Sequence, residues 1–385
     1  LEKGILLTME PWVALDGRVA NAAERAGVGR LCYELIRGFQ SLENPSFRLR
    51  IYLDRPPRAD FPALRKHSEI AVLPAGYFWT HLRLGKALRD TRPALFFSPT
   101  TQLPWGYKGP SVIVVPDLAY LSFPKHFTLR KRLSALVRAY HALPRATRVV
   151  AISQSTAAEI ERHFPNCVNK TRVVALGCDY ARFANVSDGE RWSVRKKYGL
   201  ETPFFLYLGR IQPRKNLVRL VQAFEIFCRS AYDLRHTLVL AGADGWKTSE
   251  IYRAISRSPV RDRIRRVEYV PEDELPDLIA AADAFVLLSL WEGFGLPVLE
   301  AMAAGTPVIT SNVSALPEVA DDAAVLVDPY DIEAIADALL QVVHDSALRA
   351  ALIEKGRSRA RAFSWENTVT NLTAVFSELL EGNAS

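Results

Sequence analysis

Ser289-Leu290-Trp291-Glu292-Gly293-Phe294-Gly295-Leu296-Pro297-Val298-Leu299-Glu300 decides how this chain is read. It follows an apolar run, Ala284 to Leu288, of a length that fits a buried strand. Pro297 suits the first turn of a helix, where its missing N–H is not needed. That helix is predicted to run through Glu300-Ala301-Met302-Ala303-Ala304. Gly293 and Gly295 permit a sharp bend between strand and helix and the close approach of a ligand. The free N–H groups of the helix start form an anion site. Glu292 and Glu300 flank the bend, and carboxylates, which repel phosphate, accept hydrogen bonds from hydroxyl groups. Amides for phosphate beside acceptors for hydroxyls fit a sugar nucleotide. A tight turn with a solvated Glu292 fits the same letters.

The surrounding second half repeats a strand–helix alternation. Strands are expected at Phe204–Leu208, His236–Ala241, Val267–Val270, Pro307–Thr310 and Ala323–Val327, with helices over Lys215–Phe227, Leu275–Ala282, Ile332–His344 and Ala347–Arg361. Acidic Glu272-Asp273-Glu274 complements the helix start at Leu275. A last helix begins near Ser364-Trp365 and carries Val369, Leu372, Val375, Phe376 and Leu379 at helical spacing. The first strand of this half ends at Gly209-Arg210, five residues before Lys215. Two cations at one strand end, facing the glycine bend, can hold a diphosphate, arginine through a planar fork and lysine as a point charge.

The first half follows the same plan. Strands are expected at residues 5–8 and at Arg48–Leu53, Ile70–Leu73, Ala94–Phe97, Ser111–Val115 and Arg148–Ile152. Such alternation predicts parallel sheets covered on both faces, with ligands at the carboxyl ends of the strands. Asp117 stands on that rim, as a reactive group or as an Asp turn. Gly27-Val28-Gly29 precede a helical pattern at Leu31, Leu35, Ile36 and Phe39, so their N–H groups face either a ligand or plain turn chemistry. Asp179 to Arg191 is polar and reads as a linker. Leu129, Leu133, Leu136, Val137 and Tyr140 recur at helical spacing among Arg130, Lys131, Arg132 and Arg138. That stripe is expected to pack on the sheet, with a membrane-surface helix as the alternative. Tyr77-Phe78-Trp79 is an aromatic cluster of the same two meanings.

The totals bound the rest. At 385 residues, 49% hydrophobic and 24% charged, two globular domains are expected. No apolar run reaches membrane-spanning length, and Leu1–Leu7 reads as a short strand rather than a leader. Four cysteines without metal-like spacing suit a reduced, cytoplasmic chain. Residues 1–180 carry 26 Lys and Arg against 14 acids, a net of +12, whereas the whole chain is +7. That basic half suits a membrane surface or an anionic acceptor; nucleic acid is disfavoured, since no known binding signature occurs. The dinucleotide fingerprint, nucleophile elbow, Walker loop and kinase motifs are absent from the sequence. So are an Asp-x-Asp triplet and metal-spaced histidines, and neither metal nor cofactor is expected.

Glu292 to Glu300, within Glu-Gly-Phe-Gly-Leu-Pro-Val-Leu-Glu-Ala-Met-Ala-Ala-Gly-Thr-Pro-Val-Ile, resembles the signature of the family 4 retaining glycosyltransferases. Ser311-Asn312-Val313-Ser314-Ala315-Leu316-Pro317-Glu318-Val319, Tyr207-Leu208-Gly209-Arg210 with Lys215-Asn216, and Gly27-Val28-Gly29-Arg30 extend the likeness over nearly the whole chain. Asp117-Leu118-Ala119-Tyr120-Leu121-Ser122-Phe123-Pro124 resembles the branch containing bacterial O-antigen mannosyltransferases.

The resemblance implies a GT-B fold, two Rossmann-like domains facing across a cleft. Residues 1–180 would form the acceptor side, 199–363 the nucleotide-sugar side, and the C-terminal helix, 364–385, would cross back to the first domain. It implies Arg210 and Lys215 on the donor diphosphate and Glu300 on the ribose. Glu292, with Gly293, Phe294, Gly295 and Leu296, would hold the sugar, and Val270 and Leu275 the base. Gly27, Val28 and Gly29 would close on the diphosphate, with Gly209 and Gly242 at the strand ends completing the set. Transfer would be metal-independent and front-face, from a GDP- or UDP-linked donor, GDP-mannose first, to a glycan or lipid-linked acceptor, with peripheral work at the inner face of a membrane. The branch usually carries His-Asp where this chain has Pro116-Asp117, and Asp117 is expected to serve the acceptor. A sugar-nucleotide epimerase and, given Pro116, a non-catalytic binding subunit are the rival readings.

Overall fold

The computed structural model describes residues 10–25 and 27–381; the strand expected at 5–8 and Ala26 lie outside the described residues. Thirteen described strands form two wholly parallel sheets. The first contains β1 (Trp12–Asp16), β2 (Arg48–Leu53), β3 (Ser68–Val72), β4 (Leu95–Ser98), β5 (Ser111–Val115), β6 (Arg148–Ala151) and β7 (Thr171–Val173), in the order β3-β2-β1-β4-β5-β6-β7. The second contains β8 (Phe204–Leu208), β9 (Thr237–Ala241), β10 (Ile264–Val267), β11 (Ala284–Leu287), β12 (Val308–Ser311) and β13 (Val325–Val327), in the order β10-β9-β8-β11-β12-β13. The central strands are apolar without alternation because helices cover both faces. In β5 and β11 every residue is buried.

These are two Rossmann-like domains, as expected. Their strand order reverses between β1 and β4 and again between β8 and β11. At such a point the connections leave in opposite directions and open a crevice at the carboxyl ends of the strands. The second crevice is bordered by the loop after β8, which carries Gly209 to Lys215, and by the loop after β11, which carries Ser289 to Gly295.

Several expectations shift. The described first strand is Trp12–Asp16, a largely buried run closed by the charged Asp16, where no strand was expected. β7 was also unforeseen, being three residues at a sheet edge with two of them half-exposed. β10 ends where the strand Val267–Val270 was expected to begin. The supposed linker holds two helices, Tyr180–Ala184 and Asp188–Lys197, the second fixed by a reciprocal Ser187–Glu190 capping box. The helix Leu129–Arg145 lays Ala139, Ala142 and Leu143, with the half-buried Leu136, on the sheet and leaves Leu129, Leu133, Val137 and Tyr140 exposed, so that of the expected stripe only Leu136 is covered.

The final helix, Trp365–Glu381, does cross to the first sheet's domain. Phe376 sits among the rings of Phe39, Phe47 and Phe97, with centroids 5.7, 5.7 and 5.1 Å away. Val369 presses on Gly38, where an added Cβ would meet its Cγ2 at 2.5 Å. Thr368 Oγ1 donates to the Ala175 carbonyl at 2.9 Å.

Candidate active site

The bend after β11 is held from three sides. Ser311 Oγ donates to the Ser289 carbonyl at 2.9 Å, the Glu292 N–H donates to Ser314 Oγ at 3.0 Å, and the Leu290 N–H donates to the Arg214 carbonyl at 2.9 Å. The first two anchors come from the Ser311–Val319 stretch, so that motif positions the bend. The helix begins at Leu296, with Pro297 in its first turn. Gly295 stands just before it at φ 123°, a conformation side chains resist. Gly293 has an ordinary φ and is required for a different reason. An added Cβ there would lie 1.8 Å from the Pro116 carbonyl oxygen and 3.0 Å from Asp117 Cβ, across the cleft.

Glu292 lies at the centre of a buried ion cluster. Its Oε1 accepts from Lys215 Nζ and, at 2.5 Å, from Ser289 Oγ. Its Oε2 accepts from Arg214 Nη1 at 3.1 Å, and Arg214 Nη1 also donates to the Trp291 carbonyl at 2.5 Å. Glu292 is therefore not a solvated turn residue. Burial pushes its carboxyl up, but Lys215, Arg214 and the hydrogen bonds outweigh burial and bring it from 4.5 to about 2. Burial lowers the Lys215 ammonium despite its pairing with Glu292, and the neighbouring Arg214 charge lowers it further. Two cations on one carboxylate leave the cluster positive, balanced in part by Asp117, whose charge reaches both cations.

A carboxyl held below its ordinary value contributes stability above that value and loses it as pH falls through the folded value. Glu292 should thus stabilise the native fold above pH 4.5 and cease to do so as pH approaches 2. Denaturation midpoints measured at stepped pH should fall more steeply over that window in the native protein than in Glu292→Gln. Parallel acid limbs would remove this role for the cluster.

Arg214 was not anticipated, although it adjoins Lys215; the only available signal was a second cation in the same loop. Arg210 was anticipated but stands exposed, outside the cluster, and among the described residues forms no ion pair. Gly209 and Gly242 press together at the ends of β8 and β9, where a Cβ on Gly242 would meet the Gly209 carbonyl at 2.3 Å. Asp117 Oδ1 accepts from the Ala119 N–H at 3.1 Å, so the Asp turn exists, and its charge lies near enough to favour the Arg214 cation. Val270 is buried and Leu275 half-buried, three residues past β10 and at the start of the helix Leu275–Ala280.

Glu300 is buried and paired with an unexpected partner, Arg30 Nη1, at 2.5 Å. Burial works against the Arg30 charge, but Glu300, Glu272 and Glu34 together raise its pKa. Arg30 belongs to the helix Val28–Ser41, whose start holds Val28 and Gly29, with Gly27 exposed just before it. The pair therefore crosses between the domains. Other contacts close the same cleft. Glu318 accepts the N–H groups of Gln154 at 2.9 Å and Ser155 at 3.3 Å, capping the helix Gln154–His163 from the opposite domain. Trp246 Nε1 donates to the His126 carbonyl at 2.6 Å.

Residues 190–359 match the family described as glycosyl transferases group 1. O-antigen chain mannosyltransferase B of Escherichia coli is 34% identical over 286 residues, which cover 74% of this chain and 74% of the relative. Among solved structures, sucrose-phosphate synthase from Thermosynechococcus elongatus superposes with a TM-score of 0.79 at 22% identity, covering 97% of this chain and 100% of that one. Anabaena Alr3699/HepE in complex with UDP-glucose does so with a TM-score of 0.71 at 18% identity, covering 95% and 99%. At these identities the solved structures speak for the fold, which is GT-B, and the family model and the curated relative speak for the kinship. Two parallel-sheet domains, a cation-bearing loop and a glycine bend at one crevice, and this kinship make the chain a member of the group 1 glycosyltransferases and a glycosyl-transferring enzyme.

Proposed function

We propose that the enzyme moves mannose from GDP-mannose to a glycan or lipid-linked acceptor, with retention and without a metal ion. The observation that carries the donor side is the buried cluster of Lys215, Arg214 and Glu292 at the second strand-order reversal. A buried net positive charge beside a helix start favours an anion, and its preset geometry favours charge that grows as a bond breaks. The mannosyl choice is supported by the name of the Escherichia coli relative. Residues 199–363 would hold the donor, and residues 1–180 with the helix 364–385 the acceptor.

In this reading Lys215 and Arg214, joined by the exposed Arg210, take the diphosphate, and the amides of Gly293 to Leu296 and of Gly27 to Gly29 close on it. Arrival of the diphosphate relieves Glu292 of part of its pairing, so that its oxygens accept from sugar hydroxyls. Glu300 gives one oxygen to Arg30 and offers the other to a ribose hydroxyl. Val270 and Leu275 supply apolar surface for the base. The bond from the anomeric carbon to the phosphate oxygen breaks as the acceptor oxygen attacks the same face. The acceptor proton passes to the leaving phosphate oxygen, yielding nucleoside diphosphate and the glycoside. Asp117 orients the acceptor hydroxyl. The basic first half, net +12 over residues 1–180, supports work at an anionic membrane surface, on its inner face.

A donor panel tests the proposal. Turnover should be highest with GDP-mannose, survive a chelator, and give a product with the donor's anomeric configuration. An inverted product overturns retention, chelator sensitivity overturns metal independence, and preference for a UDP-sugar overturns the donor. An altered sugar still on its nucleotide, formed without acceptor, would favour epimerisation.

A further inference from the structure

The apolar stripe that faces away from the sheet has a physical consequence. On the helix Leu129–Arg145, Leu129 is 68% and Val137 61% exposed, with Leu133 and Tyr140 exposed between and beyond them. The positions 129, 133, 137 and 140 form one line along the helix. The sheet is instead met by small residues, Ala139 and Ala142, and by Leu143. Beside this line lies a second group: Tyr77 at 95%, Phe78 at 65%, and the exposed Leu82 and Trp105. The two groups are joined. Trp105 stacks on His81 at 4.0 Å, His81 meets His141 of the helix at 6.4 Å, and Phe78 lies 6.0 Å from Trp105.

The second group is not a loose loop end. Arg18 forks onto Asp16 at 3.0 and 2.9 Å, donates to Thr80 Oγ1, and lies 4.1 Å above the ring of the buried Trp79. This holds the segment down while Phe78, at φ 53°, turns its ring outward. A groove of about 450 Å³ runs beside it, bordered by Leu73, Tyr77 and Leu82, with Arg83 and Lys86 at its edge. A patch of eight large apolar side chains is well beyond the scattered exposure that soluble surfaces carry. Its frame is mainly cationic: the one acid lining the groove, Asp90, is paired with Lys86. The helix Leu129–Arg145 contains Arg130, Lys131, Arg132, Arg138 and Arg145 and no acidic residue.

We propose that this face of the first domain docks on an anionic lipid bilayer, with the eight apolar side chains entering the headgroup–acyl boundary and the arginines and lysines meeting lipid phosphate. Charge complementarity selects that occupant. A second copy of the chain would have to bring the same cations against each other, whereas anionic lipid neutralises them. The helix Leu129–Arg145 follows shortly after Asp117, so the docked face would lie next to the acceptor side of the cleft. The proposal rests on the lipid-linked acceptor for its purpose, but not for its test.

Vesicle sedimentation, with neither donor nor acceptor present, makes the test. The full chain should bind phosphatidylglycerol-containing vesicles, bind pure phosphatidylcholine far more weakly, and be released by salt. Leu129→Ser/Leu133→Ser/Val137→Ser should keep the native circular dichroism and transfer to a soluble acceptor while binding anionic vesicles at least about tenfold more weakly. Arg130→Gln/Arg138→Gln should weaken binding and its salt dependence together. Equal binding by native and triple variant, or binding indifferent to lipid charge, overturns the proposal. So does a native dimer that the triple variant abolishes while vesicles are ignored. Vesicle binding with no transfer to a lipid-linked acceptor would instead leave the docking intact and reject that acceptor.

Discussion

Replacing Lys215 by alanine is expected to lower kcat by about 10²- to 10³-fold while leaving the fold in place. Lys215 Nζ is buried on Glu292, and in the proposed reaction its charge meets the diphosphate at the moment the glycosidic bond breaks. Fixed charge in a dry site acts most strongly where charge develops, so the loss should fall on kcat more than on KM. The fold should survive because Glu292 keeps two partners, Arg214 and Ser289. The substitution removes a cation from a cluster that holds two. Glu292→Ala is the informative contrast. It strands both cations in a buried site, and losing one partner of a buried pair costs roughly 3–5 kcal/mol, so its melting temperature should fall well below that of Lys215→Ala. Steady-state kinetics beside thermal melts separate the two effects. Full turnover in Lys215→Ala would remove the lysine from the chemistry.

Gly293→Ala is expected to cost about 10²-fold or more in kcat/KM with little change in the melting temperature. The new methyl would lie 1.8 Å from the Pro116 carbonyl oxygen, closer than a non-bonded carbon and oxygen can approach, and 2.9 Å from the carbonyl carbon. The obstacle is backbone, so no rotamer change relieves it. Gly293 itself has an ordinary φ, so alanine strains nothing within its own domain. Relief therefore comes from separating the two loops across the cleft. That displaces Asp117 from the cations and breaks the bond from Thr156 Oγ1 to the Gly293 carbonyl. A displacement of about an ångström at a site built on orientation is enough for a loss of this size. Small-angle scattering should report a more open cleft. An alanine variant with native kinetics would show that this contact is dispensable to turnover.

Much of the architecture is legible in the chain alone. β5 and β8 fall where the sequence puts them, because a buried parallel strand reads as a continuous apolar run bounded by turn residues, and β2 does so through Leu49, Ile51, Tyr52 and Leu53 despite its two arginines. The helix at Pro297 is also legible, since proline and glycine restrict the backbone locally. β1 and β7 were not legible. The apolar run of β1 ends in the charged Asp16 and lies close behind the run at 5–8, where the first strand is expected, and β7 offers three residues at a sheet edge.

The site divides in the same way. Glycines, cations and glutamates of the right kinds are visible at the ends of predicted strands, and strand ends are where a parallel α/β sheet binds ligands. Their pairing is not visible. Glu292 lies 77 residues from Lys215 and 78 from Arg214, and only the adjacency of β8 and β11 in the sheet brings the loops together. Nothing local indicates that Arg214 enters the cluster and Arg210 stays outside it, or that Arg30 crosses the cleft to Glu300. Pro116 is a similar case. In the sequence it is a missing histidine; in the fold its carbonyl explains why position 293 has no side chain.

By itself, then, the sequence determined the two parallel α/β halves, the crevice-forming loops and the residue types suited to a sugar nucleotide, because these depend on short-range periodicity and on backbone limits within a few residues. The tertiary structure decided which charges meet, which glycine the cleft requires, and which side of the helix Leu129–Arg145 is covered. An amphipathic pattern states that a helix has an apolar line; what lies against that line depends on elements distant in the chain, and here the described fold leaves it facing outward.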